Sequence, residues 1–457
     1  MKKTILLTLA LGLAGISSMQ AGNIDVFVTG STAFRANVYL ASQKLFVGGN
    51  PNVFYGSAAN GGADSGFSKK TASWAMTGTP IPQLTNIQGN TLTVHGLFTG
   101  SVQGIQTVEE KTPLHFANAD GANNGLCATY VDAAPTIGFS DASGSVTPYP
   151  ASGNYVEEDV AVQPFVLCKS AAPSGAVASI NNVTWEQFAY GIPKGRIPLS
   201  AWTTSIADTN TYVYLLQRTL DSGTRRCETA QQYYQYGDTV GIYIYDQAAH
   251  GFYGSDIMVL SNNATGLAPY GVVGSAGLNN ANVDAKWGFG YVAGSGIAAA
   301  LGITEVQNQS IGYLSFADAQ NILAGNANNW SQVLAFNGLW PTAQGSSIKG
   351  NTGTNDFSPI TLGYYPCWGA LVLVHPVNPT GTPGNNITQF QLGNNSSPGS
   401  FMGVFNAQTA INGGAPLVGS IENEIELSKT LSPGATAIRL SDMKVKRAQV
   451  GGVISLK

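Results

Sequence analysis

IDVFVTGSTAFRANVYLASQKLF, residues 24 to 46, changes its periodicity once. IDVFVTG alternates apolar residues and ends on glycine, the pattern of a strand running into a loop. Beyond it Phe34, Val38, Ala41 and Leu45 recur at helical spacing. The Gly-Ser-Thr step between the two patterns is small and polar, which suits a tight turn. A strand, a polar turn and a helix in that order predict an α/β fold, in which loops at the carboxyl ends of strands gather ligands.

The same unit recurs. PTIGFSDAS (135 to 143) reads as a buried strand that stops at a polar loop, and VAVQPFVL (160 to 167) as a strand buried on both faces. INNVTWEQFAYG starts a helix, with Thr184 as N-cap and Gln187 completing a capping box. TYVYLLQ (211 to 217) is a strand that delivers RTLDSGTRR (218 to 226), and DSGTRRCETAQQYYQYG reads as the helix after it. Residues 49 to 105, rich in Gly, Asn, Ser and Thr, read as irregular or β-rich elaboration around short runs such as TLTVHGLF. Gly274 to Gly296, the loop around TGTND and residues 377 to 400 are Gly/Asn-rich and expected to be exposed.

At 457 residues the chain is long enough for two domains and a sizeable core. A net charge of -4 with no long basic run argues against a nucleic-acid surface, and the short KVKR at 444 to 447 reads as a solvated terminal strand. Residues 1 to 21 carry Lys2 and Lys3, then the apolar run ILLTLALGLAGI, then MQA, which predicts a cleavable secretory signal peptide. Ile16 stands where a lipoprotein would carry its cysteine, so a periplasmic or extracellular chain without a lipid anchor is expected. Export permits disulfides. Cys127, Cys168, Cys227 and Cys367 allow three full pairings between which the sequence does not choose, with buried free thiols as the alternative. No CxxC pair is present, so no zinc, other metal or cofactor is expected.

Three loops carry chemistry: TGST (29 to 32), SD (140 to 141) and RTLDSGT (218 to 224). A helix N-terminus presents unpaired N–H groups and partial positive charge to an oxyanion. Gly30 and Gly223 allow close backbone approach, Ser31, Thr32, Ser222 and Thr224 supply hydroxyl donors, and Arg218 adds a planar fork for two oxygens of one tetrahedral anion. An exposed ion pair is worth about 0 to 1 kcal/mol, whereas a charge-assisted hydrogen bond in a closed site contributes roughly 1.5 to 3 kcal/mol. Capture of a small anion therefore requires the loops to converge in a cleft. Asp141, beside Ser140, would accept a proton carried by the ligand, which hydrogen phosphate has and sulfate lacks. Asp221 is read as orienting Arg218 or capping the helix that follows. Arg35, Arg225 and Arg226 either enlarge the anion preference or face water, the second being preferred.

In order and context these segments resemble the phosphate-binding proteins of phosphate ABC transporters, which have the periplasmic binding protein type 2 fold. VTGSTAFRANVY is similar to the family's opening strand, turn and helix, and GFSDAS to its SD loop. VAVQPFVL and NNVTWEQFAYG follow as the crossing strand and helix do, and KGRIPLSAW weakly echoes GKITNW. The family's Arg-x-Asp-Gly-Ser-Gly-Thr motif is matched at Arg218, Ser222, Gly223 and Thr224. IGYLSFADA (311 to 319) resembles its IGYVEYA segment, and ITLGYYPCWGALVLV its second crossing strand. The resemblance spans roughly residues 24 to 375.

It implies a two-lobed α/β fold, each lobe a mixed sheet flanked by helices, with Gly/Asn-rich insertions. Lobe 1 would comprise 22–162 and 359–457 and lobe 2 163–358, joined by crossing strands near 160 to 167 and 359 to 366. It also implies a non-enzymatic monomer that captures phosphate or a similar oxyanion for a transporter permease. Phe34 would give a backbone N–H and Asp141 the acceptor, with Ser31, Thr32, Ser140, Arg218, Ser222, Gly223 and Thr224 around the anion. The acidic residue here is Asp221, one position later than the family's aspartate, with Leu220 in its place, and Ala33 precedes Phe34 where some members have threonine.

Two other classes compete. An exported structural or cell-surface protein could reuse the fold without transport. A phosphatase-like hydrolase is poorly served: His95, His115, His250 and His375 are scattered, neither HExxH nor GxSxG occurs, and Ser222 has no assigned base. The acidic pairs Glu109-Glu110 and Glu157-Glu158 read as solvated.

Overall fold

A computed structural model describes residues 22–32, 34–57, 72–98, 100–150, 152–172, 175–219, 221–234, 239–247, 249–259, 290–291, 293–319, 332–345, 355–379, 386–394, 397, 399–405, 438, 442–447 and 454–457. The expected signal peptide, Ala33 and Leu220 lie outside the described residues, as does most of Gly274 to Gly296.

The chain begins β1 (Asn23–Gly30), the helix Arg35–Lys44, β2 (Asn52–Tyr55), β3 (Ser73–Gly78), β4 (Thr91–Leu97) and the helix Ser101–Glu109. Short strands β5 (Leu114–Ala117), β6 (Gly125–Leu126) and β7 (Tyr130–Ala133) lead to β8 (Ile137–Ser140) and the long β9 (Tyr155–Lys169). Next come β10 (Asn182–Val183), the helix Trp185–Gly191, β11 (Arg196–Pro198), β12 (Tyr212–Leu216) and the helix Gly223–Gln231. The hairpin β13 (Thr239–Asp246) and β14 (Gly251–Val259), the helix Gly294–Leu301, β15 (Ser310–Ser315) and β16 (Val333–Phe336) precede β17 (Trp368–Pro376), β18 (Val445–Arg447) and β19 (Ile454–Leu456).

Among the described residues a 15-stranded sheet runs β14-β13-β12-β15-β9-β17-β8-β1-β4-β3-β2-β6, with β10, β11 and β16 attached beside this path. Its centre is the antiparallel pair of β9 and β17. Residues of β9 enter both main cores: Val160 and Ala161 pack with the β1 half, Val162 and Phe165 to Cys168 with the β12 half. The changeover falls at a bulge where Ala161 pairs with Leu371 but Asp159 with Val372, leaving Val160 extra. Such a bulge bends the strand and re-aims its side chains. The molecule is thus a mixed α/β fold of two halves, each with its own core.

The periodicity of 24 to 46 is realised. Val26 and Val28 of β1 and Phe34, Val38, Ala41 and Leu45 along the helix are buried in the core of the β1 half. Thr184 and Gln187 form the reciprocal capping box. Two expectations about topology change. TLTVHGLF is not peripheral elaboration: β4 lies parallel to β1 from Asn23↔Thr91 to Thr29↔Leu97, so it needs the whole of 31 to 90 as its crossover. The second crossing strand is not 359 to 366. Pro359 sits in the first turn of a short helix, Ser358–Thr361, and β17 begins at Trp368.

All four cysteines are free thiols, three of them buried. Glu157 is not solvated: it accepts from the Gly144 N–H (2.7 Å) and the Ser143 hydroxyl (2.9 Å). Among the described residues no helix is long and apolar enough to cross a membrane.

Candidate functional site

Parallel strands of both halves send their carboxyl ends to one place. β1 and β8 pair in parallel in the first half, and β12 and β15 in the second. β1 ends at Gly30, where φ is +121° and an added Cβ would lie 2.0 Å from the Phe139 carbonyl oxygen. Only glycine fits there. The Ser31 N–H donates to that same carbonyl (2.8 Å), which joins the TGST turn to the SD loop, and the Gly100 N–H donates to Gly30 O (3.1 Å). The helix Ser101–Glu109 is thereby set beside both.

Asp141 ties the halves together. Its Oδ1 accepts from the Ser101 hydroxyl, its Oδ2 from the Thr224 hydroxyl (3.0 Å), and its carbonyl from the Cys227 thiol (3.0 Å). Gly223 permits the approach, since a Cβ there would sit 2.8 Å from Ser101 Oγ and 2.9 Å from Asp141 Cγ. Ser101 was not among the expected site residues. Its signal was Val102, Ile105 and Val108 at helical spacing behind Gly100.

Asp221 adds charge beside Arg218, after Asp318 and Asp141, but does not cap the helix that follows. The following helix is capped by Ser222, whose hydroxyl oxygen accepts from the Arg225 N–H (3.2 Å). Asp221 instead caps the helix of the opposite half: its Oδ1 accepts from the Gln103 N–H (2.7 Å) and its carbonyl from the Val102 N–H (3.1 Å). Gly100 occupies that helix's N-cap position, and a Cβ there would fall 1.7 Å from Asp221 Oδ2. The missing side chain makes room for a cap from another part of the chain. Asp221→Ala should cost about 1 to 2 kcal/mol in urea melts, and Asp221→Asn clearly less, because the amide oxygen still accepts. Equal losses would contradict the capping role.

Arg218 is buried, and its Nε donates to the Tyr291 carbonyl (3.1 Å). Burial pulls its guanidinium below the ordinary value, opposed by Asp318 first, then Asp141 and Asp221. Its leading counter-charge is thus Asp318, at the end of the IGYLSFADA segment. Burial pushes the Asp318 carboxyl up, countered chiefly by Arg218, with the Ser315 hydroxyl donating to it at 2.8 Å. Gly294 leaves the space, since a Cβ there would meet Asp318 Oδ2 at 1.9 Å. Arg35, partly buried, also acts on Asp318. The guanidinium of Arg218 therefore has the carboxylates of Asp318, Asp141 and Asp221 acting on it, and that of Arg35 the carboxylate of Asp318.

Arg225 and Arg226 do not face water. Both are fully buried, and Arg225 Nη1 donates to the Arg218 carbonyl (2.7 Å). Arg225 thus supports the loop from behind, above Glu228, which accepts from the Gln217 amide (3.0 Å). Ser31 is buried and Thr32 half-buried at the junction. Phe34 packs on Phe139 with ring centroids 5.6 Å apart, and its N–H donates to Ser31 O (3.3 Å). The Ser140 hydroxyl donates to Ala142 O (2.6 Å). Those two donors serve their own turns. Among the described residues no cluster of His, Cys, Asp and Glu could hold a metal ion.

No protein-family model matches the chain, and no curated protein matches it. Solved structures similar to it include a putative phosphate ABC transporter substrate-binding protein with bound phosphate from Clostridium perfringens, 12% identical, TM-score 0.37, covering 77% of this chain and 86% of that one. An ABC-type phosphate transport receptor from Vibrio cholerae is 13% identical, TM-score 0.37, over 77% and 86%. A possible phosphate binding protein from Planctomyces limnophilus is 10% identical, TM-score 0.33, over 78% and 82%. At these values the likeness assigns neither ligand nor activity.

Proposed function

We propose that the chain binds a small protonated oxyanion, hydrogen phosphate foremost, without covalent chemistry, between its two halves. One observation carries this reading: the Ser101 and Thr224 hydroxyls donate to the buried Asp141 carboxylate at strand ends from both halves, and that carboxylate acts on the buried guanidinium of Arg218. Guanidinium and hydroxyl groups donate to an oxyanion, and an ionised carboxylate among them accepts from a ligand that carries a proton while repelling one that does not. On ligand entry the Ser101 and Thr224 hydroxyls turn from Asp141 to the anion, with Thr32 and the Gly223 backbone completing the shell. In the exported setting expected from residues 1 to 21, the chain presents its ligand to a membrane permease.

Calorimetry and thermal melting with phosphate, sulfate, arsenate and molybdate, after removal of co-purified ligand, test this. Phosphate at 100 times its Kd should add about 2.7 kcal/mol of stability. Sulfate should add none, and both Arg218→Ala and Asp141→Ala should abolish the phosphate response. If none of the anions stabilises the wild type, the reading fails.

A second reading rests on Asp141 and Asp221, which already bridge the halves through protein donors. A structural, permanently closed use of the fold needs such bridges, and it predicts no anion response at all.

A further inference from the structure

Arg35 stands where its charge works against its own helix. It is the first residue of the helix Arg35–Lys44, whose first turn holds no acidic residue and whose N-cap, Phe34, contributes no side-chain cap. A cation there opposes the partial positive charge of the N-terminus, where Asp or Glu is the stabilising choice. Helix stability therefore does not explain it. Its position in the molecule does. The Ser31 N–H donates to the Phe139 carbonyl (2.8 Å) and the Phe34 N–H to the Ser31 carbonyl (3.3 Å), which fixes the start of this helix beside the Ser140-Asp141 loop.

The carboxylate that acts on Arg35 belongs to the other half. Asp318, just beyond β15, is held by the Ser315 hydroxyl (2.8 Å) in the space that Gly294 leaves, and it acts on Arg218 as well as on Arg35. The two arginines use their donors differently. Arg218 is buried, and its Nε is taken by the Tyr291 carbonyl. Arg35 is half-buried, and among the described residues its guanidinium makes no hydrogen bond and no close ion pair. None of its nitrogens is sealed from solvent. Five N–H donors in a rigid fork are thus open to an acceptor that arrives from outside.

Charge balance says why such a group is needed. Three carboxylates, those of Asp318, Asp141 and Asp221, act on the single guanidinium of Arg218, a surplus of two negative charges. An entering anion is repelled by that surplus, and Arg35 reduces it to one.

We propose that Arg35 is a second oxyanion-binding residue, which closes on the anion from the half opposite Arg218. The inference rests on the oxyanion reading above and adds to it a specificity-determining residue. One guanidinium from each half then holds the same tetrahedral anion, and neither half alone offers both forks.

Calorimetry with inorganic phosphate on the full chain, freed of co-purified ligand, would compare wild type with Arg35→Gln, Arg35→Lys and Lys44→Gln. Arg35→Gln should weaken phosphate binding at least about tenfold through the lost charge-assisted bonds. Arg35→Lys keeps the charge opposite Asp318 but not the planar fork, so its Kd should fall between the two, and it guards against a loss of fold. Lys44→Gln removes the same charge from the last residue of the same helix, about 13 Å away along its axis, and should leave the Kd unchanged. A purely structural Arg35, there only to neutralise Asp318, would alter the melting temperature of the unliganded chain and leave the Kd alone. Equal phosphate binding by wild type and Arg35→Gln, or an equal loss in Lys44→Gln, would therefore overturn the role of Arg35 while the oxyanion reading stands. No phosphate binding by wild type would overturn both.

Discussion

Gly30→Ala should destabilise the chain by about 3 kcal/mol or more, a loss of the size reserved for strain with no route of relief. Gly30 sits at φ +121°, where an L side chain is strained whatever the space around it. The space is also closed, with the new Cβ 2.0 Å from Phe139 O and 2.5 Å from Phe139 N. Those are backbone atoms of β8, held in register by Gly30↔Phe139 pairing and by the Ser31 N–H, so they cannot rotate away as a side chain would. The helix Ser101–Glu109 presses from another side, since a Cβ on Gly104 would lie 2.7 Å from Gly30 Cα. Gly89→Ala is the control: φ is +80° but nothing lies within 4 Å, so only the conformational term of about 1 kcal/mol remains. Urea midpoints at unchanged slope measure both. Similar losses for the two variants would show that the contact with β8 is not what demands glycine.

Stability should fall as pH rises from about 4.5 to about 8, and Glu228→Gln should remove part of that fall. Burial pushes the Glu228 carboxyl from 4.5 up to about 8, with the Gln217 amide and then Arg225 opposing. Between those values the folded chain keeps a proton that the unfolded chain has released. Each step up in pH therefore favours unfolding, by at most about 1.4 kcal/mol per pH unit. Below 4.5 and above 8 this group adds no slope. Arg225, lowered to about 9 by burial and then by the neighbouring Arg226 charge, acts only above that value and with the opposite sign, because there the unfolded chain holds the extra proton. Asp318, Glu157 and Asp159 are raised as well and share the falling slope, so the informative quantity is the difference between wild type and variant. The two should nearly coincide at pH 5, relative to pH 8, where Glu228→Gln should be the more stable. Identical pH slopes would mean that Glu228 is not the buried acid described.

Much of the fold was legible because local pattern and local structure share a cause. Alternation and helical spacing in 24 to 46 follow from which faces must leave water, and Thr184 with Gln187 closes its cap within a single turn. The apolar run at 160 to 167 is buried on both faces because it crosses between two cores. Other features were not local. TLTVHGLF reads as a short β run anywhere, and only its parallel partner β1 makes it central. Arg225 and Arg226 read as solvated because two adjacent charges ordinarily are; tertiary packing buries them and gives Arg225 the Arg218 carbonyl.

The sequence by itself determined the strand-turn-helix units, the glycines at their turns and the polar residues of the TGST, SD and RTLDSGT loops. Those depend on backbone conformations and periodicities that a few neighbouring residues dictate. Only the tertiary structure decided that Asp221 caps a helix 118 residues away, that Asp318 is the leading counter-charge of Arg218, and that Ser101 joins Thr224 on Asp141. Each of these pairings fills space that glycine leaves open at Gly100, Gly294 or Gly223, and the sequence does not say which distant side chain will occupy it.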